Sequence, residues 1–105
     1  MDILLRIKRL VLRAQVRFTE KARNEMEADD LDSIEVLESI VNAQGISKTL
    51  RSRSRHRRQG GEKLYVIKSF SYGGTAIYTK GKIAREGEEE VFYILVSAKL
   101  AWARD

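Results

Sequence analysis

Residues 63–85, KLYVIKSFSYGGTAIYTKGKIAR, contain two runs of β-forming residues on either side of a glycine pair. The first run, Lys63 to Phe70, is rich in aromatic and branched side chains, which favour a strand. In the second run, Thr75 to Arg85, strand alternation places one set of residues toward the core, namely Ile77, Thr79, Gly81 and Ile83. Gly73-Gly74 between them is typical of a tight turn, so this stretch predicts an antiparallel hairpin.

Two flanking segments extend the predicted sheet. Residues Val91 to Lys99 are strand-like and follow the acidic turn Glu86-Gly87-Glu88. On the other side, Ile46 to Leu50 predicts a short strand. The C-terminal part of the chain therefore predicts a sheet of three to four antiparallel strands.

The N-terminal part has helical periodicity instead. Asp2 to Ala14 predicts an amphipathic helix, and Thr19 is a suitable N-cap for a second helix that ends near Ala28. Asp32 or Ser33 would cap a third helix that stops at Gly45. Its predicted apolar stripe consists of Ile34, Leu37, Ile40 and Val41. Helices followed by a strand meander predict an α+β fold, with N-terminal helices packed on the sheet.

Length and composition narrow the functional classes. The 105 residues suit a single domain, spanning 1–105, and the absence of cysteine excludes disulfides and thiolate zinc sites, so we expect a cytoplasmic protein. Arg6, Lys8 and Arg9 interrupt the first apolar run, which argues against a membrane span or a signal peptide. No phosphate-binding glycine motif precedes a helix, and no cofactor is expected.

The positive charge is concentrated after Gly45. That part has 13 basic and 6 acidic residues, a net charge of +7, whereas the preceding part has 7 basic and 9 acidic residues, a net charge of −2. Within it, one eleven-residue run contains no acid and includes Lys48, Arg51, Arg53, Arg55, Arg57 and Arg58. Guanidinium groups match phosphate oxygens, so the run indicates RNA binding; the alternative is a solvated or protein-binding loop.

The second strand of the hairpin places Tyr78, Lys80 and Lys82 together on its solvent side. A phenol beside two ammonium groups suits base stacking, proton transfer or phosphate binding. Exposed lysines on a sheet also serve solubility and edge protection, and that alternative stays open.

Other candidates are weaker. His56 is the one histidine, and an unperturbed imidazole titrates near neutrality, which suits a general base; a histidine within an arginine-rich loop is also an ordinary polar residue. The acidic clusters at 29–32 and 86–90 contain enough carboxylates for a divalent ion, but turns and helix caps explain them equally well. We therefore expect no metal site.

Several strings in this order resemble MqsR-family toxins of bacterial type II toxin–antitoxin systems. The matching segments are Gln15–Thr19, Ile34–Asn42, Lys48-Thr49, Leu64–Val66, Ile77–Lys80 and Val91–Lys99. The resemblance implies a RelE/ParE-like fold and metal-independent cleavage of mRNA. It also implies a cognate antitoxin as partner, and the ribosome is a further candidate partner.

Carried over by position, the resemblance implies active-site roles for Lys48, Tyr78 and Lys99. The family's active-site glutamine falls on Glu62, where this chain has a carboxylate. The implied chemistry is attack of an RNA 2′-hydroxyl on the adjacent phosphate. Two alternatives remain open: a non-catalytic RNA- or ribosome-binding module, and a toxin that targets DNA gyrase.

Overall fold

The computed structural model describes residues 2–51, 62–86 and 90–101, and its fold class is α+β, as predicted. Within these ranges the chain forms three helices and five strands. In chain order they are α1 (Ile3–Leu12), β1 (Val16–Phe18), α2 (Glu20–Ala28), α3 (Ser33–Val41), β2 (Lys48–Arg51), β3 (Lys63–Phe70), β4 (Ala76–Glu86) and β5 (Glu90–Leu100).

The predicted capping residues begin two of the helices. Thr19 Oγ1 accepts a hydrogen bond of 3.1 Å from the backbone of Ala22 at the start of α2. Asp32 accepts one of 2.8 Å from the Glu35 backbone at the start of α3, and the Glu35 carboxylate returns to the Asp32 N–H. None of the described helices combines the length and apolar character needed to span a membrane.

The third helix differs from its prediction in its buried side and in its last residue. Ile34 is 66% exposed, because the buried side of α3 is centred on Val36, Ser39 and Ile40, and Ile34 lies about 200° around the helix from Val36. Periodicity alone did not resolve which of two adjacent stripes packs inward. The helix also ends at Val41, four residues before Gly45.

The sheet has five strands, in the order β1-β5-β4-β3-β2, and it is mixed. The predicted strands, β2 to β5, do pair antiparallel, but the prediction omitted a fifth strand, and that strand makes the sheet mixed. The added strand, β1, pairs in parallel with β5 from Val16↔Tyr93 to Phe18↔Leu95. Three residues are too few to show strand alternation, and the partner strand is distant in sequence.

All three helices pack on one side of this sheet and form a single core with it. The buried apolar residues of the core are Ile7, Leu10, Val11, Ala22, Met26, Leu31, Val36, Ile40, Ala43, Tyr65, Ile67, Ile77, Tyr93, Leu95 and Ala98. The predicted inward face of β4 is confirmed, since Ile77, Thr79 and Gly81 are buried. Leu5 and Leu12 of α1 lie outside the core and are 45% and 70% exposed.

A β-bulge in β5 changes which side chains face away from the helices. Lys80 pairs with Ser97, but Gly81 pairs with Leu95, so Val96 has no partner on β4. The extra residue shifts the alternation of β5, and Leu95 and Ala98 are both buried as a result. Lys99 consequently lies opposite Tyr78, on the side of the sheet away from the helices.

Two carboxylates, one in α2 and one on the residue directly after it, hold this part of β5. Because β1 pairs with β5 only as far as Leu95, the backbone N–H groups beyond it need other acceptors. Glu25 Oε1 accepts hydrogen bonds from Ser97 Oγ at 2.6 Å and from the Ala98 N–H at 3.0 Å, and Asp29 accepts one from the Leu100 N–H at 2.9 Å. The bulge and the residues after it are thereby fixed to the helical layer.

The pKa of Glu25 reflects this role. Burial alone would raise the pKa of the carboxyl, but hydrogen bonds from Ser97, Lys21 and Ala98 outweigh burial and lower the pKa below 4.5. A group with a lowered pKa in the folded state stabilises the fold above its unfolded pKa. That stabilisation is lost as the pH falls through the lowered folded pKa.

Replacement of Glu25 by glutamine is expected to reduce the free energy of unfolding at pH 7 by about 1–2 kcal/mol, because hydrogen bonds to a charged acceptor are lost. The difference from the unaltered protein should shrink as the pH falls below about 4.5. Urea titrations between pH 7 and pH 3 measure it. Glu27→Gln, at an exposed position on the same helix, is the control. A difference that stays constant with pH would contradict this assignment.

Candidate nucleic-acid interface

The side of the sheet opposite the helices is termed here the open face, since no helix of the described chain covers it. The strand register arranges its side chains in rows that cross the sheet. These rows are Lys68–Tyr78–Lys99, then Lys48–Val66–Lys80, then Lys82–Ile94–Arg17, and finally Ala84–Phe92.

The first row places a phenol between two ammonium groups. Tyr78 is half-buried, whereas Lys68 and Lys99 on the neighbouring strands are exposed. Lys99 Nζ lies 5.3 Å from the centroid of the Tyr78 ring, a cation–π contact. Directly opposed residues have Cβ atoms about 5 Å apart, so one phosphate group can reach all three side chains.

Lys48 joins this row through a small cavity. The cavity has a volume of about 130 Å³ and is lined by Ser47, Lys48, Leu50, Val66, Lys68 and Tyr78. Its lining includes two ammonium-bearing side chains and the phenol, with apolar residues between them. The predicted pair Lys48 and Tyr78 is thus brought together, although the two residues lie on strands separated by β3.

Glu62 lies in a different part of the open face. Its two carboxylate oxygens lie 3.1 and 3.2 Å from Lys82 Nζ, and both side chains are partly exposed. Lys82 is four residues along β4 from Tyr78, a backbone distance of about 13 Å. The structure therefore pairs Glu62 with Lys82 and places Tyr78 next to lysines.

The candidates from the sequence divide into two groups. Lys48, Tyr78, Lys80, Lys82 and Lys99 share the open face. Arg51 is exposed at the end of β2, opposite Lys63, and alternation places it on the other side of the strand from Lys48. The RNA-binding candidates Arg53, Arg55, His56, Arg57 and Arg58 lie outside the described residues.

Sequence reasoning missed Lys68 and the pair formed by Arg17 and Phe92. Lys68 could have been found, because alternation along β3 puts it on the same side as Val66. Arg17 lies on the unpredicted strand β1, and its guanidinium carbon is 4.4 Å from the centroid of the Phe92 ring. No local pattern in the sequence connects these two residues.

The charged side chains described on the open face are predominantly cationic. The cations are Arg17, Lys48, Lys68, Lys80, Lys82 and Lys99. The negative charge of Glu62 balances the positive charge of Lys82. In the ranges that the structure describes, histidine, aspartate and glutamate form no group of three that could hold a metal ion. Asp29 and Asp32 of the first acidic cluster instead accept hydrogen bonds from backbone N–H groups.

No protein-family model, curated protein or solved structure matches the chain.

Proposed function

We propose that the protein is a metal-independent endoribonuclease that cuts mRNA on the open face and so inhibits translation. The observation that carries this proposal is the row Lys68–Tyr78–Lys99, a half-buried phenol between two exposed ammonium groups. Lys48 and Lys80 extend the positive surface beside it. A phosphodiester bound there has cations on several sides and a proton-bearing hydroxyl within reach.

The proposed reaction is attack of an RNA 2′-hydroxyl on the adjacent phosphorus. The 2′-hydroxyl gives up its proton to solvent water as the new bond closes a 2′,3′-cyclic phosphate. The bond to the 5′-oxygen breaks, and that oxygen takes up a proton from the Tyr78 hydroxyl, which regains one from solvent. Lys68 and Lys99 stabilise the negative charge that builds on the phosphate oxygens, usually the largest contribution to such catalysis. Tyr78 moves a proton, and Lys48 holds the phosphate from the other side of the cavity.

The resemblance to MqsR-family toxins extends the proposal to a partner. A cognate antitoxin would cover the open face and keep the nuclease inactive in the cytoplasm. The large excess of cations on this face supports an acidic partner surface. Cleavage on the ribosome is a variant of the same proposal, since ribosomal RNA would help to hold the substrate.

The test is incubation of the purified protein with a long unstructured RNA in EDTA, followed by mapping of the ends. We expect discrete cuts that leave 2′,3′-cyclic phosphates. RNA that is bound but stays intact, both alone and on translating ribosomes, would contradict cleavage and identify a non-catalytic RNA-binding module instead.

A further inference from the structure

The end of the open face farthest from Tyr78 has a planar cation supported by an aromatic ring. The Arg17 guanidinium carbon lies 4.4 Å from the centroid of the Phe92 ring. Arg17 is exposed and Phe92 is half-buried, so the guanidinium group covers the ring from the solvent side. We term this pair of Arg17 and Phe92 the platform.

The fold fixes this platform from below. Val16 and Phe18, on either side of Arg17, pack against the core, and strand alternation turns Arg17 outward. Two backbone hydrogen bonds hold β1 at its ends: Tyr93 N–H donates to the Gln15 carbonyl at 2.9 Å, and Thr19 N–H donates to the Leu95 carbonyl at 3.0 Å. Arg17 is therefore presented by rigid backbone.

A guanidinium plane is weakly hydrated on its faces, and unpaired nucleobases stack on such planes as they do on aromatic rings. A paired base in a duplex has no free face to offer. The chemistry of this platform therefore suits one unstacked base of a single strand. The distance along β4 from Tyr78 to Ala84, the neighbour of Phe92, is six residues or about 20 Å.

Between the two ends, Lys80 and Lys82 occupy successive rows of the open face. Sheet surfaces that bind single-stranded RNA stack two or three bases on aromatic side chains, and cations beside them contact the phosphates. From this arrangement we propose that Arg17 and Phe92 form a nucleobase-stacking site for a single RNA strand that lies along β4. The inference rests on the proposed function only in taking RNA as the ligand.

The test measures binding without cleavage. A fluorescent eight-nucleotide oligoadenylate with 2′-O-methyl groups cannot be cut by 2′-hydroxyl attack, so its affinity reports binding alone. Arg17→Lys keeps the charge and removes the plane, and Arg17→Ala removes both. We expect each variant to bind this oligonucleotide about 5- to 100-fold more weakly than the unaltered protein. Inorganic polyphosphate, which has no bases, is the control ligand, and Arg17→Lys should bind it with unchanged affinity.

Three results would overturn the inference. In the first, Arg17→Lys binds the oligonucleotide as tightly as the unaltered protein does. In the second, Arg17→Lys loses affinity equally for the oligonucleotide and for polyphosphate. In the third, the unaltered protein does not bind the oligonucleotide. Cleavage of ordinary RNA is measured alongside. If Arg17→Lys selectively loses affinity for the oligonucleotide but the unaltered protein does not cleave RNA, the stacking site is supported and the proposed nuclease activity is contradicted.

Discussion

Lys99→Ala is expected to slow RNA cleavage by about two to three orders of magnitude at saturating RNA, the usual effect of removing one group that stabilises transition-state charge. Lys99 lies directly opposite Tyr78, and its ammonium group is 5.3 Å from the centroid of that ring. A charge that acts mainly in the transition state affects kcat more than KM. Tyr78→Phe should also reduce kcat, because it removes the hydroxyl group that transfers the proton but keeps the aromatic ring.

Single-turnover cleavage of a defined RNA in EDTA measures these effects. Lys63→Ala is the matched control. Lys63 is also an exposed lysine of the same sheet, but strand alternation places its side chain on the opposite side of β3 from the open face. It should keep nearly full activity. Full cleavage by both Lys99→Ala and Tyr78→Phe would contradict the assigned roles.

Gly81→Ala is expected to lower the free energy of unfolding by roughly 3 kcal/mol or more, at the upper end of the effects of overpacking. A Cβ atom at Gly81 would lie 2.5 Å from Tyr93 Cζ, 2.7 Å from its hydroxyl oxygen and 2.8 Å from Cε2. The Tyr93 ring is fully buried and cannot move aside without disturbing the core. Its hydroxyl has no hydrogen-bond partner among the described residues, and burial raises its pKa.

Thermal unfolding measures the effect, and a loss of that size corresponds to a fall in Tm of more than about 12 °C. Gly73→Ala serves as the control, because its Cβ would meet only Ser71 Oγ, at 4.0 Å. Adding Tyr93→Leu to Gly81→Ala should cost less than the sum of the two single changes, since the clash is removed. Purely additive effects would show that the ring and Gly81 are not in conflict.

The sequence was sufficient for the features that local chemistry determines. Thr19 and Asp32 begin their helices because their side-chain oxygens satisfy free backbone N–H groups nearby. The alternation of β4 correctly placed Tyr78, Lys80 and Lys82 on the side away from the core. Such features depend on residues a few positions apart.

Features that depend on distant contacts could not be predicted in the same way. Simple alternation from the buried Leu95 would turn Lys99 toward the helices, and only the bulge at Val96 reverses it. The bulge in turn is held by Glu25, whose hydrogen-bond partner Ser97 is 72 positions away in sequence. Lys99 entered the candidate site through a family resemblance, and its position opposite Tyr78 has this separate structural cause.

The most direct test of the central claim, that the open face binds RNA, is to follow backbone amide chemical shifts during titration with the 2′-O-methyl oligonucleotide. The largest shifts are expected at Lys68, Tyr78, Lys80 and Lys99, with little change in α1 and α3. Shifts concentrated on the helices, with the open face unaffected, would contradict the account.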